Sequence, residues 1–228
     1  MLLVQETKAK PEQIDVSEFN GLGYHVYMHS AEKPGYSGVA IFSKQKPKQI
    51  AVGCGIEKFD KEGRVLRADF DKLSVLSAYF PSGSSSEQRQ SFKMEFLQDF
   101  TFFIDELKRE HPNLIIGGDF NICHREIDIH NPISNKKSSG FLPEEREWVS
   151  RFLDSGFLDS FRYMNGDVTD KYSWWTYRFN ARRKNLGWRI DYHMVSQPLE
   201  KSIVKADILT DVSHSDHCPV SLELELND

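Results

Sequence analysis

Leu114-Ile115-Ile116-Gly117-Gly118-Asp119-Phe120-Asn121 is the stretch on which the fold turns. A short apolar run closed by residues that favour turns reads as a buried strand, and it delivers a carboxylate and an amide at its exit. Upstream, Ser86 to Glu110 places Phe92, Phe96, Phe100, Phe103 and Leu107 at spacings of three and four among Glu, Gln and Lys. That is an amphipathic helix, ended by His111-Pro112-Asn113. Downstream, Pro143-Glu144-Glu145 opens a second helix that runs to about Leu153. Strands are expected at Leu2–Gln5, Tyr24–Met28, Gly38–Phe42, Arg64–Phe70 and Leu73–Tyr79. Others are expected at Trp174–Tyr177, Trp188–Val195, Ile203–Ile208 and Val220–Leu226. The tight Asp71-Lys72 turn makes a hairpin of the fourth and fifth. Many short strands and few helices predict two packed sheets with helices outside. No repeat or biased linker divides the chain, so residues 1–228 are read as one domain.

Composition narrows the class. A hydrophobic content of 39% and a charged content of 28% describe a globular chain, and a net charge of −5 argues against non-specific coating of nucleic acid. No apolar run is long enough to span a membrane, and no secretory leader opens the sequence. Cys54, Cys123 and Cys218 are scattered, without C-x-x-C spacing, which fits reduced thiols in a cytoplasmic protein.

Chemistry-bearing residues collect at strand ends: Glu6, Tyr79, Asp119 with Asn121, Asp191, and Asp216 with His217. Each has an ordinary reading, as a solvated carboxylate, a turn former or a packed phenol. Asp191 is harder to dismiss, because a carboxylate inside a strand needs a partner, and His217 is the partner expected. His193 and His214 take the ordinary reading. Residues 171–190 hold Lys171, Arg178, Arg182, Arg183, Lys184 and Arg189, no acidic residue, and Tyr172, Trp174, Trp175, Tyr177, Phe179 and Trp188. Basic groups neutralise phosphates and aromatic faces stack on bases, so this acidic chain is expected to bind a polyanion there. Trp175 has a plain core reading beside this one.

Gln5-Glu6-Thr7-Lys8, Tyr79-Phe80-Pro81, Gly118-Asp119-Phe120-Asn121, Trp174-Trp175-Thr176-Tyr177, Gly187-Trp188-Arg189-Ile190-Asp191-Tyr192 and Ser215-Asp216-His217-Cys218-Pro219 stand in this order across the chain. Together they resemble the ordered motifs of the exonuclease III/abasic-site endonuclease family, within the endonuclease/exonuclease/phosphatase superfamily. The resemblance implies a deoxyribonuclease-I-like four-layer α/β sandwich of two packed, mostly antiparallel sheets flanked by helices. It implies a Mg²⁺-dependent phosphodiesterase, with Mn²⁺ able to substitute. Glu6 would be the main metal ligand, and Asp216, Asp119, Asn121 and His217 further candidates. Asp119 would deprotonate the attacking water and Asn121 would hold it or a phosphate oxygen. His217, kept cationic by Asp191, and Tyr79 would hydrogen-bond the scissile phosphate. Trp174, Trp188 and Ile190 match the lining of a pocket for a flipped-out abasic sugar, Arg178 a side chain entering the duplex, and Asn131 a backbone contact. Arg182 and Lys184 join them as expected DNA contacts. Ser82 stands where relatives often carry an amide.

The implied substrate is double-stranded DNA with abasic sites, cut on the 5′ side by a monomer. A 3′→5′ exonuclease or 3′-phosphatase activity would accompany the incision. Relatives begin with a strand bearing Trp-Asn-x-Asn-Gly, which this sequence lacks, so the first strand is expected to be missing and the edge of the Leu2–Gln5 strand open. Two other readings are kept. One is a different superfamily phosphodiesterase, such as a non-specific deoxyribonuclease or a phosphoinositide phosphatase. The other is an inactive DNA-binding fragment.

Overall fold

In a computed structural model, which describes residues 1–226, the strands in chain order are β1 (Leu2–Gln5), β2 (His25–His29), β3 (Val39–Ser43), β4 (Gln49–Val52), β5 (Val65–Asp69), β6 (Ser74–Tyr79), β7 (Leu114–Asp119), β8 (Phe157–Asp159), β9 (Asp191–Ser196), β10 (Ile203–Ile208) and β11 (Val220–Leu224). The helices are α1 (Ser17–Gly21), α2 (Glu57–Asp60), α3 (Glu87–Glu110), α4 (Pro132–Asn135), α5 (Pro143–Asp154) and α6 (Ser160–Asn165). The chain forms two compact units, one of Met1–Phe80 with Phe102–Asp119, the other of Pro81–Thr101 with Phe120–Asp228. No helix among the described residues is long and apolar enough to cross a membrane.

In the first unit β1, β3 and β2 form an antiparallel sheet in that order. β4, β5 and β6 are antiparallel neighbours, and β7 joins β6 in parallel. The two groups pack face to face through Val39, Ile41, Leu66, Ala68 and Tyr79, with Leu3, Tyr27 and Ile50 against them. β1 is an edge strand: Leu3 turns inward, while Leu2 and Val4 are exposed. The β5–β6 hairpin forms as expected, Phe70 N–H donating to Leu73 O across the turn. Gly118 makes the close approach of β7 to β6 possible. A Cβ there would lie 1.9 Å from the Ala78 carbonyl oxygen, so only glycine fits directly before Asp119.

In the second unit β8 pairs with β9 and β10 with β11, both antiparallel. An aromatic stack joins the first part of α3 to α5 and β8: Phe96 to Phe100 at 5.5 Å, Phe100 to Phe152 at 6.3 Å and Phe152 to Phe157 at 4.6 Å between ring centroids. Trp148 Nε1 donates to Leu97 O at 2.9 Å. The buried stripe of α3 is Lys93, Phe96, Leu97, Phe100, Ile104 and Leu107, not the expected five; Phe92 and Phe103 are only half-buried. A period of 3.6 residues, rather than phenylalanine placement, selects the inward positions.

Trp174–Tyr177 is not a strand. Trp174 makes single bridges to Trp188 and to His217, and the chain then turns through Phe179 and Asn180, both with positive φ (61° and 53°). β-Favouring aromatics suggested an extended run, but Trp175 is taken into a core with Phe161 and Tyr172 instead. The Gln49–Val52 and Phe157–Asp159 strands went unread because four and three residues carry little periodicity. The three cysteines form no disulfide. Burial first, then the charge of Asp60, pushes Cys54 up to about 12. Burial, then Asp191, does the same to Cys218, and Cys123, fully enclosed, is raised well above the usual range.

Candidate active site

The first unit brings Glu6, Tyr79 and Asp119 into one group. Tyr79 and Asp119 close β6 and β7 as register partners, and Phe80 N–H donates to Asp119 O at 2.8 Å. Glu6 follows β1 in the left-handed region (φ 55°). Its strand is tied to β6 by Gln5 Nε2 donating to Ser77 Oγ at 2.9 Å and Ser77 Oγ donating to Val4 O at 3.3 Å. The Tyr79 hydroxyl donates to Glu6 Oε1. Lys8 Nζ stands 2.9 Å from Glu6 Oε2. Beneath them the buried Arg64 donates to Tyr79 O at 2.9 Å and lies 5.0 Å from the centre of the Tyr79 ring. Burial, then the negative charges of Asp119 and Glu6, holds the Tyr79 phenol far above the usual tyrosine range. The phenol is therefore a hydrogen-bond donor at any working pH.

The second unit builds a different group around His217. Its Nδ1 lies 2.9 Å from Asp191 Oδ2 and 3.2 Å from Oδ1, so the carboxylate fixes the ring and favours a proton on Nδ1. Asp191 opens β9, and Ser173 Oγ accepts from the N–H groups of both Ile190 and Asp191 at 3.1 Å. Trp174 Nε1 donates to Asp216 Oδ2 at 3.0 Å, and Ser215 Oγ to Asp216 Oδ1 at 3.1 Å. The Trp174 and Trp188 rings cross edge to face at 6.0 Å, and Trp174 stands 6.5 Å from the His217 ring. Ile190 is buried with Cys123, Ile129 and Phe141, against which both tryptophans pack. Asn121 exits Phe120 with φ 53°, and Phe120 N–H donates to Ile190 O at 2.9 Å.

The expected DNA contacts stand in different surroundings. Asn131 is exposed in a left-handed turn that opens α4, Arg178 is exposed between the exposed Tyr177 and Phe179, and Lys184 is exposed further along the chain. Arg182 turns inward. It donates to the carbonyls of Ser215, Thr210 and Val212 and lies 4.7 Å from the Trp175 ring centre, so it braces the loop before His217. Arg189, counted among the phosphate-neutralising groups, is fully buried. It pairs with Asp128 at 2.7 Å and with Asp159 at 2.7 Å. Arg162 joins the same carboxylate of Asp128 at 2.5 Å. Burial alone would raise Asp128, but Arg189 and then Arg162 hold it down at about 2. A desolvated arginine needs carboxylates around it, and the sequence sets these 31 residues apart, at Asp128 and Asp159, where spacing cannot connect them.

Sequence reasoning also missed Arg64 and Ser173. Arg64 opens an expected strand but nothing there marks it as lying beneath Tyr79, and a buried serine between aromatics gives no signal beyond its neighbours.

The donor set suits a hard cation. Glu6 offers carboxylate oxygens at a partly exposed strand exit and already draws an ammonium, that of Lys8, to Oε2. Among the described residues no three His, Cys, Asp or Glu side chains form a metal-holding group. Mg²⁺ keeps several of its waters and takes only one or two carboxylates, so Glu6 fits that mode of binding.

A family model described as the endonuclease/exonuclease/phosphatase family matches residues 1–217. An exodeoxyribonuclease from Bacillus subtilis (strain 168) is 43% identical over 226 residues, covering 99% of this chain and 88% of the relative. The DNA repair nuclease APEX1 of Danio rerio is 38% identical, covering 98% of this chain and 73% of its own. The solved structure of a variant of the 3′ phosphatase NExo from Neisseria, bound to a product DNA hairpin, superposes with a TM-score of 0.91. It is 26% identical, over 99% of this chain and 88% of that one. The α/β fold, with more than one sheet and helices against them, is shared with these nucleases.

Proposed function

The chain belongs to the endonuclease/exonuclease/phosphatase family, and from that premise we propose that it is a Mg²⁺-dependent DNA repair nuclease that incises double-stranded DNA on the 5′ side of abasic sites. Its likeness to an exodeoxyribonuclease and a DNA repair nuclease makes it a phosphodiesterase hydrolase. The finer reading adds a 3′→5′ exonuclease or 3′-phosphatase activity, action as a monomer and a place in the cytoplasm, with 1–228 acting as one catalytic domain. The observation that carries the substrate reading is the His217–Asp191 pair beside the Trp174 ring, which in turn crosses Trp188. A phosphate-directed imidazole beside an apolar aromatic wall suits a sugar without a base, and extruding such a nucleotide costs less because no base must be unpaired.

The roles follow from the chemistry of each group. Bound at Glu6, Mg²⁺ would neutralise charge growing on the phosphoryl and leaving oxygens. Asp119, buried at the end of β7, accepts the proton of the attacking water, and Asn121 orients that water or a phosphate oxygen. His217, doubly held by Asp191, donates to the phosphate. Tyr79, kept protonated, donates to the phosphate or the leaving oxygen. Asp216, bound by Trp174 and Ser215, positions Trp174 as well as being a candidate for the metal's waters. Arg178, Lys184 and Asn131 meet the DNA backbone or enter the duplex.

The test is incision of an end-labelled duplex with one abasic-site analogue, with Mg²⁺ and with chelator. Metal-dependent cutting 5′ to the lesion, abolished in Glu6→Ala, is the expected result. Equal cutting of undamaged duplex would turn the reading to a non-specific deoxyribonuclease. Gel retardation without cleavage would turn it to a DNA-binding fragment.

A further inference from the structure

Lys93 and Glu145 are both completely buried and form an ion pair at 2.6 Å, yet neither has a part in the chemistry above. Lys93 reaches from α3 and Glu145 from the first turn of α5. Lys93 Nζ also donates to the backbone carbonyl of Asn121 at 2.8 Å. Glu145 Oε1 accepts from Gln90 Nε2 at 3.0 Å, and Oε2 accepts from the N–H groups of Gly140 at 2.6 Å and Leu142 at 3.0 Å. Gln90 Oε1 in turn accepts from Ser139 Oγ at 2.7 Å. The pair therefore grips two stretches of chain at once, the left-handed turn at Asn121 and the segment 139–142.

Those stretches meet. Gly140 O accepts from Cys123 N–H at 2.7 Å, and a Cβ on Gly140 would come within 3.0 Å of both Asn121 O and the Trp188 ring. Taking two charges out of water is costly, and a well-packed apolar pair of the same volume is commonly as stable or more so. Stability alone therefore does not account for charges at this depth. An inward-pointing carbonyl at a left-handed turn does require a donor, and two loop N–H groups require an acceptor.

We propose that Lys93 and Glu145 are positioning residues for the reaction. Lys93 sets Asn121 through its backbone carbonyl, and Glu145 sets the 139–142 segment that backs Trp188. The inference rests on the reading that Asn121 and Trp188 act on the substrate.

The experiment compares wild type, Asn121→Ala, Lys93→Met, the double variant Lys93→Met/Glu145→Gln and Glu145→Asp. It measures Tm and steady-state cleavage of the abasic-analogue duplex. Lys93→Met alone leaves a buried carboxylate uncompensated and lowers Tm steeply. The neutral double variant recovers much of that Tm but stays at least about tenfold down in kcat with KM little changed, a split that a purely structural role does not produce. Glu145→Asp keeps both charges but withdraws the carboxylate by one methylene. It lowers kcat even if the double variant fails to fold. Wild-type kcat in the double variant or in Glu145→Asp, with Asn121→Ala impaired, overturns the inference and leaves the proposed function standing. Wild-type kcat in Asn121→Ala overturns the site reading and the inference with it.

Discussion

The two polar groups of this molecule are held by different means. Glu6, Tyr79 and Asp119 stand at the ends of regular strands, and β6 and β7 fix Tyr79 and Asp119 by ladder register. His217 and Trp174 stand in irregular chain and Asp191 at the very start of β9, joined by single bridges and by side chains that bond to backbone: Ser173 to Ile190 and Asp191, Arg182 to the 210–215 loop. A ladder distributes the task of positioning over many backbone bonds, so few side chains outside the group itself are critical. A loop concentrates it in individual side chains. Sensitivity to mutation should therefore stay inside the first group and spread outward around the second.

The largest effects should come from the groups that handle protons. Asp119→Asn is expected to lower kcat by about 10³–10⁴-fold, and Asp191→Asn, which can leave His217 in the wrong tautomer, by about 10²–10³-fold. Single-turnover rates with unchanged circular dichroism check both. If the second loss exceeds the first, loop-held chemistry is the more demanding half. Next, Tyr79→Phe removes a donor and should cost about 10–10²-fold. Because the phenol is raised far above its usual range, it stays protonated as pH rises. The alkaline limb of the pH–rate profile should then be the same in Tyr79→Phe as in wild type, and a limb that vanishes with the hydroxyl would refute the assignment. The smallest effect sharpens the contrast. Ser173→Ala leaves two N–H groups without their acceptor. It should destabilise by about 1–3 kcal/mol and lower kcat about fivefold. The matched change under the first group, Ser77→Ala, should leave kcat within about twofold, because backbone pairing holds both β1 and β6 in place.

The sequence exposed the first group more fully than the second for the same reason. A continuous run such as Leu114–Gly118 announces its strand, and the strand announces that Asp119 sits at its end. The His217 group could be named by motif but not built. Nothing in residues 171–190 separates Arg189, which is buried on Asp128 and Asp159, from Arg178, which is exposed. Both are arginines among aromatics, and only the fold decides which finds carboxylates. Lys93 is the instructive omission. It lies three residues before Phe96 and seven before Phe100, on the inward face of α3, so the helical period marked it as buried. Reading the phenylalanines alone passed over it.

The three cysteines have a consequence for experiment. Thiolate, not thiol, attacks an alkylating reagent, and Cys54, Cys123 and Cys218 are all held far from ionisation at neutral pH. In the native state the buried Cys123 and Cys218 are close to silent, whereas Cys54 is only half-buried. A brief pulse of iodoacetamide followed by peptide mass mapping therefore records openings at Cys123 and Cys218. Cys54 belongs to the first unit, and Cys123 and Cys218 belong to the second. The second unit thus carries its own pair of stopwatches, and their readings would tell whether the chain around Cys123 and the chain around Cys218 breathe in step.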